Sequence, residues 1–314
     1  MAVNFITNAT KGTDGANYVP NTITELGGMI GKIAEQIIRE VEAQNPLSDF
    51  EKMPVDNGDT IEQAIVELAS SSAYDPDGAD ALKRADPTII ARYFNDWTRA
   101  KFKTTVDISQ IRKVLKTGKG ASDLSTKVVA SLSEGDTDEK YQTLKALLKW
   151  GRQDQTGQAL VKLSDVAYNN GIDYQAVLVA LKDTVKGMSY VNTSFNGASL
   201  KRKTRKEDIK IIMPYKLKNR IDVEELAGVF NLSKAELENK IIEIDVDEET
   251  ISSKKCYPVY IVDVNAILDY TRLYEMIDEK NADGLFWNYY LHVERLYGIS
   301  QLFDGCYFLV KTES

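Results

Sequence analysis

"TIIARYFNDWTRAKFKTTVDIS", residues 88–109, changes character at its midpoint. From residue 99 onward apolar and polar side chains alternate without a break. Ala100, Phe102, Thr104, Val106 and Ile108 fall on one side; Arg99, Lys101, Lys103 and Asp107 fall on the other. Successive side chains of a strand point to opposite faces, so this pattern predicts a half-buried strand with a basic outer face. Upstream, "MPVDNGDTIEQAIVEL" (53–68) is strand-like behind an Asn57-Gly58 turn signal, and "SSSAYDPDGADALKRADP" (70–87) is rich in turn formers. Residues 50–108 therefore read as one long excursion with strand-like limbs. A two-stranded hairpin is marginal alone in water. Its apolar side needs a surface, and a second copy of the chain is the nearest candidate. Tyr93, Phe94, Trp97, Arg99, Lys101 and Lys103 are accordingly the candidate intersubunit contacts.

Outward from this stretch, residues 1–20 are small, polar and glycine-bearing and read as a loose arm. Thr22 and Glu25 fit a capping box that opens a helix carrying Ile23, Leu26, Ile30, Ile33, Ile37 and Val41, and Pro46 stops it. Residues 109–190 read as mainly helical. Ser122 and Asp136 are candidate caps, Tyr141, Leu144 and Leu148 form one stripe, and Asp173 caps a helix built on Tyr174, Val177, Leu178, Leu181, Val185 and Met188. Beyond the basic loop "KRKTRK" (201–206), "DIKIIM", "IIEIDV" and "YPVYIVDV" read as strands. "DVEELAGVF", "SKAELENK" and "AILDYTRLYEMIDEK" read as helices. Near the end, Leu285, Trp287, Tyr289, Leu291 and Val293 alternate with Phe286, Asn288, Tyr290, His292 and Glu294 as a long strand; Asp304-Gly305 makes a turn and "CYFLV" returns as another strand. Strands and helices mix without a regular βαβ rhythm, which predicts an α+β fold.

Composition narrows the function. With 314 residues, 43% hydrophobic and 27% charged, the chain is long enough for one elaborate domain or two. A formal net charge of -8 argues against a dedicated nucleic-acid binder, whose affinity comes from lysine and arginine displacing counterions. Cys256 and Cys306 form no framework and read as buried free thiols in a reducing compartment. The start shows no basic segment followed by an apolar block, and no run of about 18 apolar residues predicts a membrane span.

Motifs that carry chemistry are weak. His292, the only histidine, reads as a structural strand residue; no G-x-S-x-G elbow accompanies it, and one histidine cannot make a multi-histidine metal site. "EIDVDEET" lacks the glycine and the twelfth-position glutamate of a calcium loop and reads as a solvated turn. "TGKGAS" (117–122) lacks phosphate-loop spacing and reads as a flexible linker. The basic cluster of Lys201, Arg202, Lys203, Arg205 and Lys206 has two readings, a solvated loop or a contact for phosphates or an acidic surface. The expectation is no catalytic, cofactor or metal site, and hence no enzyme.

The order of elements resembles the major capsid proteins of tailed bacteriophages, with the capsid-floor or Johnson fold. Residues 50–109 look like the extended loop of that family, 122–155 like its spine helix region, "IIMPYKLKNRIDVEELAGVFNL" like part of its axial domain and 284–310 like its closing peripheral strands. The resemblance implies an arm and helix over 1–49, an extended loop over 50–108 and a peripheral domain with the spine helix over 109–190. A mainly axial domain follows over 191–280, then closing peripheral strands over 281–314. It implies a structural subunit that self-assembles as pentamers and hexamers into an icosahedral head enclosing double-stranded DNA without sequence-specific binding. Scaffolding, portal and decoration proteins are the implied partners. The virion is the implied location, with assembly in the host cytoplasm. Some relatives cross-link subunits by lysine–asparagine bonds; Lys83, Lys101 and Lys103 lie in the matching loop, without a matching acid or asparagine. Two rivals are an encapsulin-like nanocompartment shell, which would hold one cargo protein, and a soluble enzyme or binding module with a lid at 50–108.

Overall fold

A computed structural model describes residues 42–55, 58–69, 71, 74, 76, 84–107, 118–153, 159–168, 172–219, 221, 240–251 and 254–313, with the long helix's side chains from 126 to 152. The loose arm, the helix expected after Thr22, Ile108, Lys83 and the helices expected within 222–239 lie outside the described residues. The strands, in chain order, are β1 (Ile61–Val66), β2 (Ile89–Phe94), β3 (Trp97–Val106), β4 (Val161–Lys162), β5 (Ile209–Pro214), β6 (Ile241–Ile244), β7 (Glu249–Ile251), β8 (Lys254–Asp263), β9 (Ile267–Lys280), β10 (Trp287–Ile299) and β11 (Gly305–Lys311). The described helices are α1 (Gly118–Gln153), α2 (Tyr174–Met188) and the single turn α3 (Tyr215–Lys218). The α+β expectation holds.

The chain forms two compact units. One comprises Met1–Ala43, Ala100–Asp138 and Tyr274–Val293; the other comprises Gln44–Arg99, Glu139–Leu273 and Glu294–Ser314. The second unit is built on a six-stranded sheet of order β4-β11-β8-β5-β6, with β7 also paired to β8. β5 and β6 run parallel, whereas β8 pairs antiparallel with both β5 and β11. Both sheet faces are covered, which is why "IKIIM" and "YPVYIV" read as unbroken apolar runs. Ile209, Ile211, Met213, Val259, Ile261 and Phe308 face the buried stripe of α2: Val177, Leu181, Val185 and Met188. The Asp173 carboxylate accepts the Ala176 amide at 2.9 Å and caps α2 as its sequence predicts. The opposite face, with Ile212, Tyr260, Val262 and Leu309, takes Tyr141, Leu144 and Leu148 of α1 together with Leu47 and Phe50. Each fully buried leucine there contributes about 1.5–3 kcal/mol of apolar burial.

In the first unit, Phe102, Tyr289, Leu291 and Val293 pack with Leu132 of α1, and the last three of these strand residues share the face that the period-two reading grouped. β3, β10 and β9 form a three-stranded sheet in that order. β3, β9, β10 and α1 each continue from one unit into the other.

Four expectations are corrected. "AILDYTRLYEMIDEK" is no helix: Ile267–Lys280 is strand β9, and it turns through Asn281 and Phe286 into β10, where the Asn281 amide donates to the Phe286 carbonyl at 2.8 Å. Its charged residues imitate helical spacing but serve strand contacts. Asp269 is buried and lies 3.2 Å from the buried Lys140 ammonium, which also pairs with Glu51 at 2.6 Å, so the charge is neutralised where water is excluded. Ser122 and Asp136 cap nothing, because α1 runs through both from Gly118 to Gln153. The same continuity makes Gly118–Ser122 helical where a linker was expected. Finally, only the first half of the return limb of 50–108 stays in the hairpin. β1 and β2 pair with each other, Ile61 opposite Phe94 through Val66 opposite Ile89, and β3 leaves at Asn95–Asp96 to join β10.

Candidate subunit-docking surface

Neither strand of the β1–β2 ribbon contains a buried residue. Val66, Leu68 and Ile89 are exposed, and so is Tyr93, at 65%, with its hydroxyl donating across the pair to Glu62 at 3.2 Å. Near the Ile61–Phe94 end, where Tyr93 also lies, other side chains tie the ribbon to its own unit. Gln63 donates to the Asn265 carbonyl at 3.3 Å and Arg92 to the Gln301 side chain at 3.0 Å. The half-buried Phe94 ring lies so near Gly298 that a side-chain carbon built there would stand 3.7 Å from it. The Ile61–Phe94 end is tethered to its parent yet leaves Tyr93 exposed, and the Val66–Ile89 end carries further uncovered apolar groups.

The two feet of the ribbon meet in a clamp. Residues 51–55 run beside β9, the Lys52 amide donating to the Asp269 carbonyl at 2.9 Å and the Val55 amide to Thr271 at 3.0 Å. Gly58 then adopts φ +97, a left-handed conformation that favours glycine. Arg272 of β9 donates to the Gly58 carbonyl at 3.3 Å, pairs with Asp59 and lies over the Trp97 ring at 4.6 Å. Trp97 in turn donates its indole N–H to the Asp59 carbonyl at 2.8 Å. Glu294 of β10 receives Arg272 through Nε at 3.0 Å and Nη2 at 2.7 Å, and Arg99 through Nε at 2.9 Å. Those hydrogen bonds, Arg272 first and Arg99 second, hold the Glu294 pKa down to about 2. Sequence reading missed Asp59, Arg272 and Glu294. Only the strand assignment of β9 would have put Arg272 on the same face as Glu294.

The candidate contact residues thus divide. Trp97 and Arg99 work within their own chain, whereas Lys101 and Lys103 stand outward over the Tyr290 ring at 5.9 and 5.4 Å. Their neighbour His292 stacks with Tyr290, ring centres 6.3 Å apart, as a strand residue. In the basic loop, Arg202 turns inward, while Lys201, Lys203, Arg205 and Lys206 are exposed. Four of the five carboxylates of "EIDVDEET" are engaged by cations: Lys218 holds Glu243, Lys145 reaches Asp245 at 2.8 Å, Lys216 holds Asp247 and Arg152 holds Glu249. That segment fastens β6 and β7 to the surrounding elements. Among the described residues no group of three or more His, Cys, Asp or Glu is placed to hold a metal, and no helix is long and apolar enough to cross a membrane.

Known proteins share this architecture. The sequence model of the Phi29-like phage major capsid protein family matches residues 6–309. The chain belongs to that family. The chain is 24% identical over 288 residues to the major capsid protein of Bacillus phage GA-1, covering 90% of this chain and 59% of that protein. With that of Bacillus phage PZA the identity is 25% over 285 residues, covering 89% and 61%. The chain thus spans about three fifths of the length of these two relatives. With the major capsid protein of Streptococcus phage Cp-1 it shares 22% over 303 residues, 91% of this chain and 82% of that protein. The fold is similar to that in the capsid structure of Staphylococcus phage Andhra: TM-score 0.73 at 13% identity, over 95% of this chain and 89% of that one. A structure from bacteriophage P68 gives 0.66 at 12%, over 93% and 89%. The family and the tailed-phage capsid fold expected from element order are therefore those of this chain.

Proposed function

We propose that this Phi29-like major capsid chain is the wall subunit of an icosahedral phage head, assembling in fives and sixes around double-stranded DNA. The observation that carries the reading is the β1–β2 ribbon: both strands lack a buried residue, and Val66, Ile89 and Tyr93 are uncovered. Covering them on an adjacent copy supplies what a lone hairpin lacks. Lys101 and Lys103 supply an outward basic row on β3. Residues 109–190 with 281–314 act as the peripheral domain and 191–280 mainly as the axial domain. Scaffolding, portal and decoration proteins complete the head, which assembles in the host cytoplasm.

Negative-stain imaging of the expressed full chain tests this directly. Rings or closed shells are expected, and compact monomers at high concentration overturn the reading. The doubly reversed variant Lys101→Glu/Lys103→Glu is expected to keep its far-ultraviolet circular dichroism and lose closed shells. Arg99 is left unaltered, because it holds Glu294 in its own subunit. Normal shells from the double variant would remove the basic row from the docking surface. Shells holding a single co-purified protein in place of DNA would favour a nanocompartment.

A further inference from the structure

The basic loop is a rigid ribbon with alternating sides. Asn192 and Arg202 exchange backbone hydrogen bonds of 3.0 and 3.1 Å, and the Thr204 amide donates to the Met188 carbonyl at the end of α2 at 2.9 Å. Arg202 points inward, donating to the Asp263 carboxylate at 2.9 Å and the Leu302 carbonyl at 2.8 Å, with its guanidinium 4.3 Å above the Phe303 ring. The buried Thr204 hydroxyl donates to Asp304 at 2.7 Å. Asn196, also buried, closes the turn by accepting the Leu200 amide at 2.7 Å and donating to the Leu200 carbonyl at 2.9 Å. Two inward anchors therefore fix Lys201, Lys203 and Arg205 on the outer side, two residues apart. In extended chain that step is about 6.6 Å, close to the step between successive phosphates of one nucleic-acid strand. Lys206 extends the row, and Tyr190, 72% exposed, and Val191 flank it across the Asn192–Arg202 bridge. Among the described residues none of these four cations has an ion-pair partner, although Arg202 between them has two. Glu207, which follows, is the one acid in the run 201–207.

We infer that this row is a binding track for the phosphate backbone of duplex DNA. The chain's charge of -8 bars tight binding by the molecule as a whole; a local row of uncompensated cations gives weak, salt-sensitive contact without base readout. That the polyanion is DNA rests on the capsid reading. An acidic protein is the competing occupant.

The test is fluorescence anisotropy of the unassembled full chain with a labelled random-sequence duplex at several salt concentrations. Each neutralised phosphate adds about 0.9 to the slope of log affinity against log salt. The variant Lys201→Gln/Lys203→Gln/Arg205→Gln is expected to lower that slope by about two to three and to bind at least about tenfold more weakly at low salt. A control, Lys254→Gln/Lys280→Gln, is expected to leave the slope as it was. No binding by the parent chain, an unchanged slope in the triple variant or an equal fall in the control overturns the inference. So does displacement of the duplex by an equal charge concentration of poly-L-glutamate. Particle formation by the triple variant is read separately by imaging: intact shells with an unchanged slope overturn the track alone, whereas absent shells from the parent chain strike at the capsid reading.

Discussion

Glu294 collects two guanidinium groups in a setting that leaves its side chain only 7% exposed. Its pKa falls from an ordinary 4.5 to about 2, so the ionised form is favoured by the folded state. The sign follows from linkage: a carboxylate depressed on folding stabilises at pH above its ordinary value, and that contribution is lost as pH falls toward the depressed one. The thermal midpoint of the parent chain should therefore drop more steeply between about pH 5 and about pH 2 than that of Glu294→Gln; parallel curves would show that the clamp does not couple to folding. A second residue, Asp173, is a purely local device. Removing its oxygen in Asp173→Ala orphans the Ala176 amide, and a loss of about 1 kcal/mol in urea unfolding is expected. The two differ in legibility for a physical reason. Asp173 signals through residues three positions away, whereas the clamp around Glu294 is drawn from positions 59, 97, 99 and 272. No spacing rule links such positions before the strands are paired. Asp136 shows the converse hazard: a carboxylate ahead of an apolar stripe looks like a cap, but α1 passes straight through it.

At the scale of elements, what alternated or ran unbroken was readable. Lys101, Phe102, Lys103 and Thr104 gave β3 its two faces, and the apolar runs of β5 and β8 marked strands covered on both sides. β9 was not readable. Its outer half carries Glu275, Glu279 and Lys280, residue types favoured in helices and depleted in strands, and every residue from Tyr274 to Lys280 is exposed, so no buried period disciplines the pattern. Its strand state is set by pairing with β10, a tertiary decision. The hairpin was readable as strands and turn formers. That β3 deserts it for β10 was not, because the strict alternation continues on whichever partner the strand meets. The Lys101→Glu/Lys103→Glu variant belongs to this scale: the change alters a strand's outward charge while leaving Phe102 and Val106 in place.

At the largest scale, the second unit packs its six-stranded sheet between the later part of α1 on one face and α2 on the other, and two ribbons are anchored to it. The clamp fixes the feet of one ribbon, and Arg202 with Thr204 fixes the other. A protein organised in this way puts its specificity into extended surfaces, in keeping with a family of capsid proteins. Cys256 and Cys306 are the chain's two thiols, both are buried, and desolvation raises the pKa of each, so in the native state neither offers much thiolate to an alkylating reagent. The molecule is therefore nearly silent toward maleimide dyes, and Tyr93→Cys on the exposed ribbon would supply one fast-reacting handle. Rapid labelling of free subunits that stops once shells close would report, in solution and in real time, the moment each ribbon is covered; labelling that continues undiminished would show that closure leaves the ribbon bare.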